Sequence, residues 1–357
     1  MAMVLLCGAM LSGAWPAAAT ADEVRFLRIG TATTGGLYFP LGGVIANLIS
    51  NPPGSRPCDR GGSCGVPGLI AVALATAGSV ENIELLRNGA IEAAIVQTNV
   101  ASWAFQGTAL YRGKPPFQNL RAIGRLLTEA AHIVVRANSP IRTVNDLRNR
   151  IISVGEPGSG SLVHALLILG ELGLTESVLQ MRYSRPTQAA DDLADGKIDA
   201  MFIMGAHPYP AVRDLAHRLP IRLLPIEAET GEALRRQMDF LVTTQIGDTD
   251  YPGVAATPTV GSGALLLVRD DLDETLVYGV TAALWHDSSS QAFGDEMPPG
   301  VAPSLASALN GLPVPLHPGA SRYYRERQEG GDARAKRPPA APAPSQPPAL
   351  PDMLPSR

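Results

Sequence analysis

Residues 26–49 have the sequence FLRIGTATTGGLYFPLGGVIANLI, and this stretch decides the fold class. Its first four residues form a short apolar run that predicts a strand, and a Gly/Thr-rich loop follows from Gly30 to Gly36. Beyond the loop, apolar residues recur at the helical spacing i, i+3, i+4, i+7 and i+8, namely Leu41, Val44, Ile45, Leu48 and Ile49. Strand, loop and helix in this order are typical of an α/β fold with a largely parallel sheet.

The same alternation continues to about Tyr324. Apolar runs predict further strands at 91–96, 132–136, 151–154, 198–204 and 264–268. Helical spacing predicts helices at 80–88, 144–148, 162–172, 187–194, 211–216 and 274–285. Ser79 is the expected N-cap of the helix at 80–88.

The length and composition limit the class of protein. With 357 residues, the chain is long enough for two globular units. A hydrophobic fraction of 45% supplies a buried core, so disorder over the whole length is excluded. Acidic residues number 33 against 29 basic ones, and no basic patch interleaved with aromatics occurs. Nucleic-acid binding is therefore not expected.

The first 21 residues predict a secretory signal peptide. They carry no charge and end in Ala19-Thr20-Ala21, an A-x-A cleavage pattern before Asp22. The apolar stretch 3–15 is too short for a membrane-spanning helix. The missing basic residue before the apolar core departs from the usual pattern. Cys7 lies too early, and follows leucines rather than small residues, for a lipoprotein anchor. We expect a periplasmic protein.

Export leaves two cysteines, Cys58 and Cys64, in a Gly/Pro-rich segment. In an oxidising compartment, a pair that closes a short loop predicts a structural disulfide. The alternative, a metal or redox pair, is not favoured. Its spacing is neither C-x-x-C nor zinc-like, and no histidine lies nearby in the sequence.

Glycine-bearing loops that follow predicted strands are the candidate binding elements, because ligands of open α/β sheets bind at strand ends. The segment Gly155–Ser161 opens a helix, whose free N–H groups and positive dipole end suit an anion. Ser159 and Ser161 would add hydroxyls. The alternative is an ordinary N-cap turn.

Enzyme templates do not fit these loops. The third glycine of a dinucleotide fingerprint, a P-loop G-K-[ST] and a G-x-S-x-G nucleophile elbow are all missing from the sequence. The histidines show neither H-x-H nor H-E-x-x-H spacing; they are His132, His164, His207, His217, His286 and His317. We expect no cofactor, no metal and no enzymatic activity.

Five segments in order resemble TAXI-type solute-binding proteins, the extracytoplasmic receptors of one branch of TRAP transporters. They are IGTATTGGLYFPLGGVIANLI (29–49), SVENIELLRNGAIEAAIVQTNVA (79–101), SVGEPGSGS (153–161), DDLADGKIDAMFIMGAHPYPAV (191–212) and PVPLHPGA (313–320). The resemblance covers roughly 24–325. It implies a type II-like periplasmic-binding-protein fold, with two α/β lobes, two hinge crossings and a ligand cleft between the lobes.

The implied domains are a signal peptide at 1–21, lobe I at 22–131 and 262–326, lobe II at 132–261, and a disordered Pro/Ala-rich tail at 327–357. The resemblance places the ligand on four loops. Their residues are Thr33, Thr34, Gly35, Gly36, Tyr38, Gln97, Thr98, Asn99, Gly158, Ser159, Gly160, Ser161, Gly205, His207 and Pro208. Tyr38 could instead be a core aromatic, Gln97 and Asn99 a solvated strand end, and Pro208 and Pro210 a helix start.

The resemblance implies a small carboxylate ligand, such as a dicarboxylate, a 2-oxo acid or glutamate, and a TRAP permease as partner, possibly fused. We expect a monomer. Asn99 stands where the family commonly has Asp, which favours a carboxylate without an α-amino group. The competing hypotheses are a sensory receptor for the same solutes and an enzyme on the same fold.

Overall fold

The computed structural model describes residues 24–298 and 301–335. The predicted signal peptide and the segment 336–357 lie outside the described residues. The strands of the described part are β1 (Arg25–Gly30), β2 (Ser50–Asn51), β3 (Val66–Pro67), β4 (Leu69–Leu74), β5 (Ala93–Gln97), β6 (Leu120–Arg136), β7 (Ile151–Ser153), β8 (Gln180–Arg182), β9 (Ala200–Gly205), β10 (Ile221–Leu223), β11 (Val242–Ile246) and β12 (Thr257–Arg269).

The α-helices of the described part are α1 (Tyr38–Ile49), α2 (Ser79–Arg87), α3 (Thr98–Gln106), α4 (Gly160–Glu171), α5 (Pro186–Ala194), α6 (Pro210–Arg218), α7 (Ala228–Gln237), α8 (Glu274–Leu284), α9 (Asp287–Glu296) and α10 (Pro318–Ala335). The helix predicted at 144–148 is a 3-10 turn, Val144–Leu147. None of the described helices has the length and apolar character needed to cross a membrane.

Two long strands, β6 and β12, run through both lobes of the molecule. Their antiparallel pairing joins 120–130 to 261–269, and the main sheet has the order β4-β1-β5-β12-β6-β9-β7-β8. Lobe I is the part built on β4, β1 and β5 with the adjoining ends of β12 and β6. Lobe II is the part built on β9, β7 and β8, together with β10 on β6 and β11 on β12. The two-lobed α/β architecture predicted from the sequence is confirmed.

Apolar side chains cover both faces of each lobe's sheet. In lobe I, α1 and α8 bury one face while α2 and α3 bury the other. In lobe II, side chains that alternate along β6 enter different cores, Ile133 into one and Val134 into the other. This alternation is what a strand buried on both faces requires. The sequence analysis recognised only 132–136 of this 17-residue strand.

The predicted disulfide is confirmed. Cys58 and Cys64 are bonded, with their Cα atoms 4.7 Å apart. The loop that carries them leaves α1 and returns to β4, and the parallel pair β2–β3 closes its base.

The C-terminal helix corrects the predicted start of the tail at residue 327. Helix α10 continues to Ala335. Tyr323 and Tyr324 are buried in the lobe I core, and Arg322 forms ion pairs with Glu274 and Glu326. Packing of the first turns provides the nucleus that lets the helix extend into the Arg- and Glu-containing residues beyond.

Candidate ligand-binding cleft

A narrow cleft lies between the two lobes, beside the hinge strands. Lobe I contributes the loop before α1, the start of α2 and the end of β5. Lobe II contributes the start of α4 and the end of β9. Glu129 of the hinge strand β6 also lines the cleft. The strand ends of both lobes thus meet at one place, as expected for this class of sheet.

Helix starts supply polar backbone groups to this cleft. The N-terminal residue of α1, Tyr38, and those of α2 and α4, Ser79 and Gly160, all line it. The first N–H groups of a helix have no partner inside the helix, and the dipole places partial positive charge there. The starts of α1 and α4 can therefore hold an anion without a basic side chain.

A direct contact already joins the lobes. The backbone N–H groups of Val80 and Glu81, at the start of α2 in lobe I, donate to the carbonyl of Gly158 in lobe II at 3.1 and 3.2 Å. Gly158 has a φ of 86°. Because L side chains rarely adopt that conformation, glycine is needed where the chain turns its carbonyl toward α2. The structure is that of a closed cleft.

Gly160 lets the lobes approach closely at the cleft wall. A Cβ atom at this position would lie 1.7 Å from Oε1 of Gln97, on the opposite lobe. Only a residue without a side chain fits there unless Gln97 moves.

The more deeply buried acidic group of the cleft is Glu129, whose exposed fraction is only 2%. Gln97 Nε2 donates to Glu129 Oε2 at 2.7 Å. Burial raises the pKa of Glu129 to about 8, although the hydrogen bond from Gln97 acts in the opposite direction. The Tyr38 hydroxyl is near enough to lower this pKa but does not meet hydrogen-bond geometry. At neutral pH the buried carboxyl is mostly protonated.

A second carboxyl, Glu156, lies at the edge of the cleft. Arg185 Nε donates to it at 3.1 Å, and burial raises its pKa. Among the described residues that line the cleft, none is Lys, Arg or His. The formal charge of the lining is therefore acidic or neutral, and any positive character comes from the helix starts.

Several buried polar atoms of the cleft residues have no hydrogen-bond partner among the described residues. They are the hydroxyls of Tyr38 and Ser153 and Oε1 of Gln97. Leaving a buried polar atom unsatisfied costs about 1 to 3 kcal/mol. A polar ligand in the cleft would remove that cost.

The serines predicted on α4 have partners within their own lobe. Ser159 Oγ caps the helix by accepting from Leu162 N at 3.1 Å. Ser161 Oγ donates to Met204 O at 3.2 Å and accepts from Met204 N at 3.1 Å. The ordinary N-cap turn considered from the sequence is thus present, and both hydroxyls also stabilise lobe II.

The predicted site residues divide into two groups. Those that line the cleft are Thr33, Gly36, Tyr38, Gln97, Ser159, Gly160, Ser161 and Gly205. Those that do not line it are Thr34, Gly35, Thr98, Asn99, Gly158, His207 and Pro208.

Local geometry explains three members of the second group. Thr98 and Asn99 belong to the first turn of α3, which rotates them away from Gln97; Thr98 Oγ1 donates to Gly263 O at 3.0 Å instead. Asn99 is fully buried, so a solvated strand end is wrong for it and for Gln97. His207 lies 2.6 Å from Asp250 Oδ2 through Nδ1. The helix start at Pro210 is confirmed.

Ser79 is also corrected. It is the first residue of α2 rather than its N-cap, and its hydroxyl accepts from Gln97 N at 3.1 Å.

Sequence reasoning missed part of the cleft lining. The missed polar or aromatic residues are Ser79, Glu129, Ser153, Glu156, Ser184, Phe202 and Tyr209. Glu129 is the one acidic residue of β6, but only 132–136 of this strand was predicted, so no local pattern marked Glu129 as a cleft residue. Tyr209 stands between two prolines, and this pattern predicts the start of a helix rather than a residue of the cleft.

The model of the NMT1-like family matches residues 29–327. The chain belongs to the NMT1-like family. This NMT1-like protein is also similar to the structure of PhnD1 from Prochlorococcus marinus in complex with methylphosphonate. The two sequences are 11% identical, the match covers 87% of this chain and 99% of that chain, and the TM-score is 0.50. The alkanesulfonate-binding protein SsuA from Xanthomonas axonopodis pv. citri, bound to MOPS, matches at 18% identity, 88% and 94% coverage and a TM-score of 0.46.

Proposed function

We propose that this protein is an extracytoplasmic solute-binding receptor that encloses a small carboxylate and delivers it to a TRAP-type membrane permease. The observation that carries the proposal is the interlobe cleft with its unpartnered polar atoms on Tyr38, Gln97 and Ser153. The resemblance to TAXI-type receptors supports the TRAP partner, and the disulfide supports an oxidising, periplasmic location.

The ligand's carboxylate would bind at the helix starts. The backbone N–H groups at the beginning of α1 and α4 line opposite walls of the cleft. A carboxylate between them would meet donors from both lobes at once. Because these contacts exist together only in the closed form, the ligand would shift the population toward closure.

The other end of the ligand would carry a hydrogen-bond donor, as the ammonium group of a glutamate-like amino acid does. Gln97 Oε1 is an unpartnered acceptor, and the carboxyl of Glu129 lies beside the same side chain. The preference for a ligand without an amino group rested on Asn99, which does not line the cleft. The position of Glu129 favours a ligand with an amino group instead.

Binding rather than catalysis is proposed because the described residues of the cleft offer polar groups that hold a ligand but no nucleophile paired with a histidine. Ser159 and Ser161, the hydroxyls predicted for the loop before α4, are engaged by backbone groups and not by a histidine. No histidine is among the described residues that line the cleft, so these serines lack the usual base for acyl transfer.

Calorimetric titration tests the proposal, after any co-purified small molecule has been identified by mass spectrometry and removed. The probes are L-glutamate, 2-oxoglutarate, methylphosphonate and ethanesulfonate. We expect saturable, stoichiometric binding of glutamate and weaker binding of 2-oxoglutarate. Tighter binding of either the phosphonate or the sulfonate would overturn the carboxylate assignment. Tighter binding of 2-oxoglutarate than of glutamate would contradict the proposal that the ligand carries an ammonium donor. Chemical conversion of a bound probe, followed by NMR, would favour the enzyme.

A further inference from the structure

The disulfide lies far from the cleft, at the other end of lobe I. Helix α1 begins at the cleft with Tyr38 and ends at Ile49, 12 residues later. At 1.5 Å per residue this places the loop that follows about 18 Å away. Its chemistry is therefore separate from that of the proposed ligand site.

A histidine distant in sequence is brought to the two cysteines. The Sγ atoms of Cys58 and Cys64 and a ring nitrogen of His286 all lie within 4.8 Å of one another. No histidine is near the two cysteines in the sequence, but the fold places His286 beside them. Cys58 and His286 are exposed and Cys64 is half-buried, so small molecules and ions can reach the cluster.

The backbone holds these three residues in place. Cys58 lies in a 3-10 turn, and Ser63 anchors the same loop by donating to Ser50 O. His286 is the N-cap of α9, with Nδ1 2.8 Å from Ser288 Oγ. Nδ1 also accepts from Ser288 N at 3.3 Å, so the ring carries its proton on Nε2 in this structure. Zinc binding through Nε2 would move that proton to Nδ1, which would then donate to Ser288 Oγ in place of the backbone contact.

We propose that Cys58, Cys64 and His286 form a zinc site when the disulfide is reduced. Zinc accepts two thiolates and one imidazole, with water in the fourth tetrahedral position. Zn–S and Zn–N bonds of about 2.0 to 2.3 Å set the ligand atoms roughly 3.5 to 4 Å apart. Small side-chain rotations therefore bring the observed cluster to that geometry.

The redox step is a thiol–disulfide exchange. A dithiol reductant transfers two electrons and two protons to the Cys58–Cys64 bond, which becomes two thiols while the dithiol becomes a cyclic disulfide. Zinc then binds both sulfurs as thiolates and releases the two protons. The oxidised and the zinc-bound forms exclude each other because the same sulfur atoms serve both.

Zinc and cobalt binding to the full-length exported protein tests the site. After reduction with a phosphine reagent, we expect one equivalent of Zn²⁺ in competition with a chromogenic chelator. Co²⁺ should give a thiolate-to-metal charge-transfer band together with the visible bands of tetrahedral coordination. The oxidised protein should show neither, because its sulfur atoms are bonded to each other.

Variants separate the ligands. His286→Ala should weaken zinc binding by at least about tenfold, since even loss of an outer partner costs about 10- to 100-fold. His217→Ala, at an exposed histidine of α6, is the matched control and should have no effect. Cys58→Ser/Cys64→Ser should abolish the cobalt charge-transfer band while circular dichroism shows a folded protein.

Three results would overturn the site. The first is that the reduced wild-type protein does not bind zinc, whether or not reduction unfolds lobe I. The second is that His286→Ala binds zinc as tightly as the wild type. The third is that the cysteine double variant binds zinc as well as the wild type.

Discussion

Glu129 and His132 lie three residues apart on the same hinge strand, and both are buried, yet they differ in how well their polar atoms are satisfied. His132 Nδ1 lies 2.9 Å from Ala130 O, and Nε2 lies 2.8 Å from the Tyr251 hydroxyl. Glu129 accepts one side-chain hydrogen bond, from Gln97, and faces the cleft.

Burial keeps both groups neutral but moves their pKa values in opposite directions. It raises the pKa of Glu129 to about 8 and lowers that of His132 to about 3. His132 is a completed part of the lobe II core, whereas Glu129 retains bonding capacity at the cleft. The comparison indicates that, on this strand, unused bonding capacity together with a position facing the cleft marks a candidate ligand contact.

The largest expected effect comes from removing the ionisable carboxyl of the cleft. Glu129→Gln should weaken glutamate binding by about 2 to 5 kcal/mol, because the ligand's ammonium group loses a buried ionic partner. Calorimetry measures the change. Glu232→Gln, at an acid of α7 that does not line the cleft, is the control and should bind normally. Equal affinities in the two variants would mean that Glu129 does not contact the ligand.

His132→Ala should act on stability instead. Loss of the ring leaves a cavity and removes a partner of the Tyr251 hydroxyl, so the free energy of unfolding should fall by about 3 kcal/mol. Urea denaturation measures it. His217→Ala should change stability by less than about 0.5 kcal/mol. A stable His132→Ala protein would show that the hydrogen bonds of His132 are not needed for the lobe II core.

The pH dependence of binding sharpens the difference between the two groups. Below pH 8 the free protein holds a proton on Glu129 that an ammonium ligand must displace. Affinity for glutamate should therefore rise up to about tenfold per pH unit from pH 6 to 8 and then level off. Glu129→Gln should flatten the profile. Affinity that falls over this range would instead indicate that the protonated carboxyl donates to the ligand.

The pH dependence of unfolding provides a related check on Glu129. Because its folded pKa is raised, the folded state binds more protons than the unfolded state between about pH 4.5 and 8. The contribution of Glu129 to the free energy of unfolding of the unliganded protein should be fully present below about pH 4.5. It should then decline by up to about 1.4 kcal/mol per pH unit toward pH 8. Chemical denaturation at several pH values should show a shallower decline in Glu129→Gln.

The smallest effects come from two buried tyrosine hydroxyls. The hydroxyl of Tyr251 accepts from Tyr209 N at 2.6 Å, whereas that of Tyr38 has no partner among the described residues. Tyr251→Phe should lower stability by about 1 kcal/mol. Tyr38→Phe should leave stability unchanged or slightly higher, while weakening glutamate binding by about 0.5 to 1.5 kcal/mol. Loss of stability in Tyr38→Phe would contradict its assignment as a ligand contact.

Local sequence patterns were sufficient for elements whose burial follows a simple period. The spacing of Leu41, Val44 and Ile45 predicted α1, and the Gly-bearing turns predicted strand ends that meet at the cleft. The same patterns failed for β6, because residues 120–131 mix charged and apolar residues where the strand passes from one lobe to the other. A hinge strand meets several environments and has no single period.

The amino-acid sequence by itself determined the α/β alternation, the two cysteines that bond across a short loop, and the glycine turns at the strand ends. These depend on neighbours within a few residues. Only the tertiary structure decided that Glu129 faces the cleft, that Asn99 turns away from it, and that His286 lies beside the disulfide. Those relations depend on where β6, α3 and α9 pack, and side chains far apart in sequence carry no local signal of their meeting.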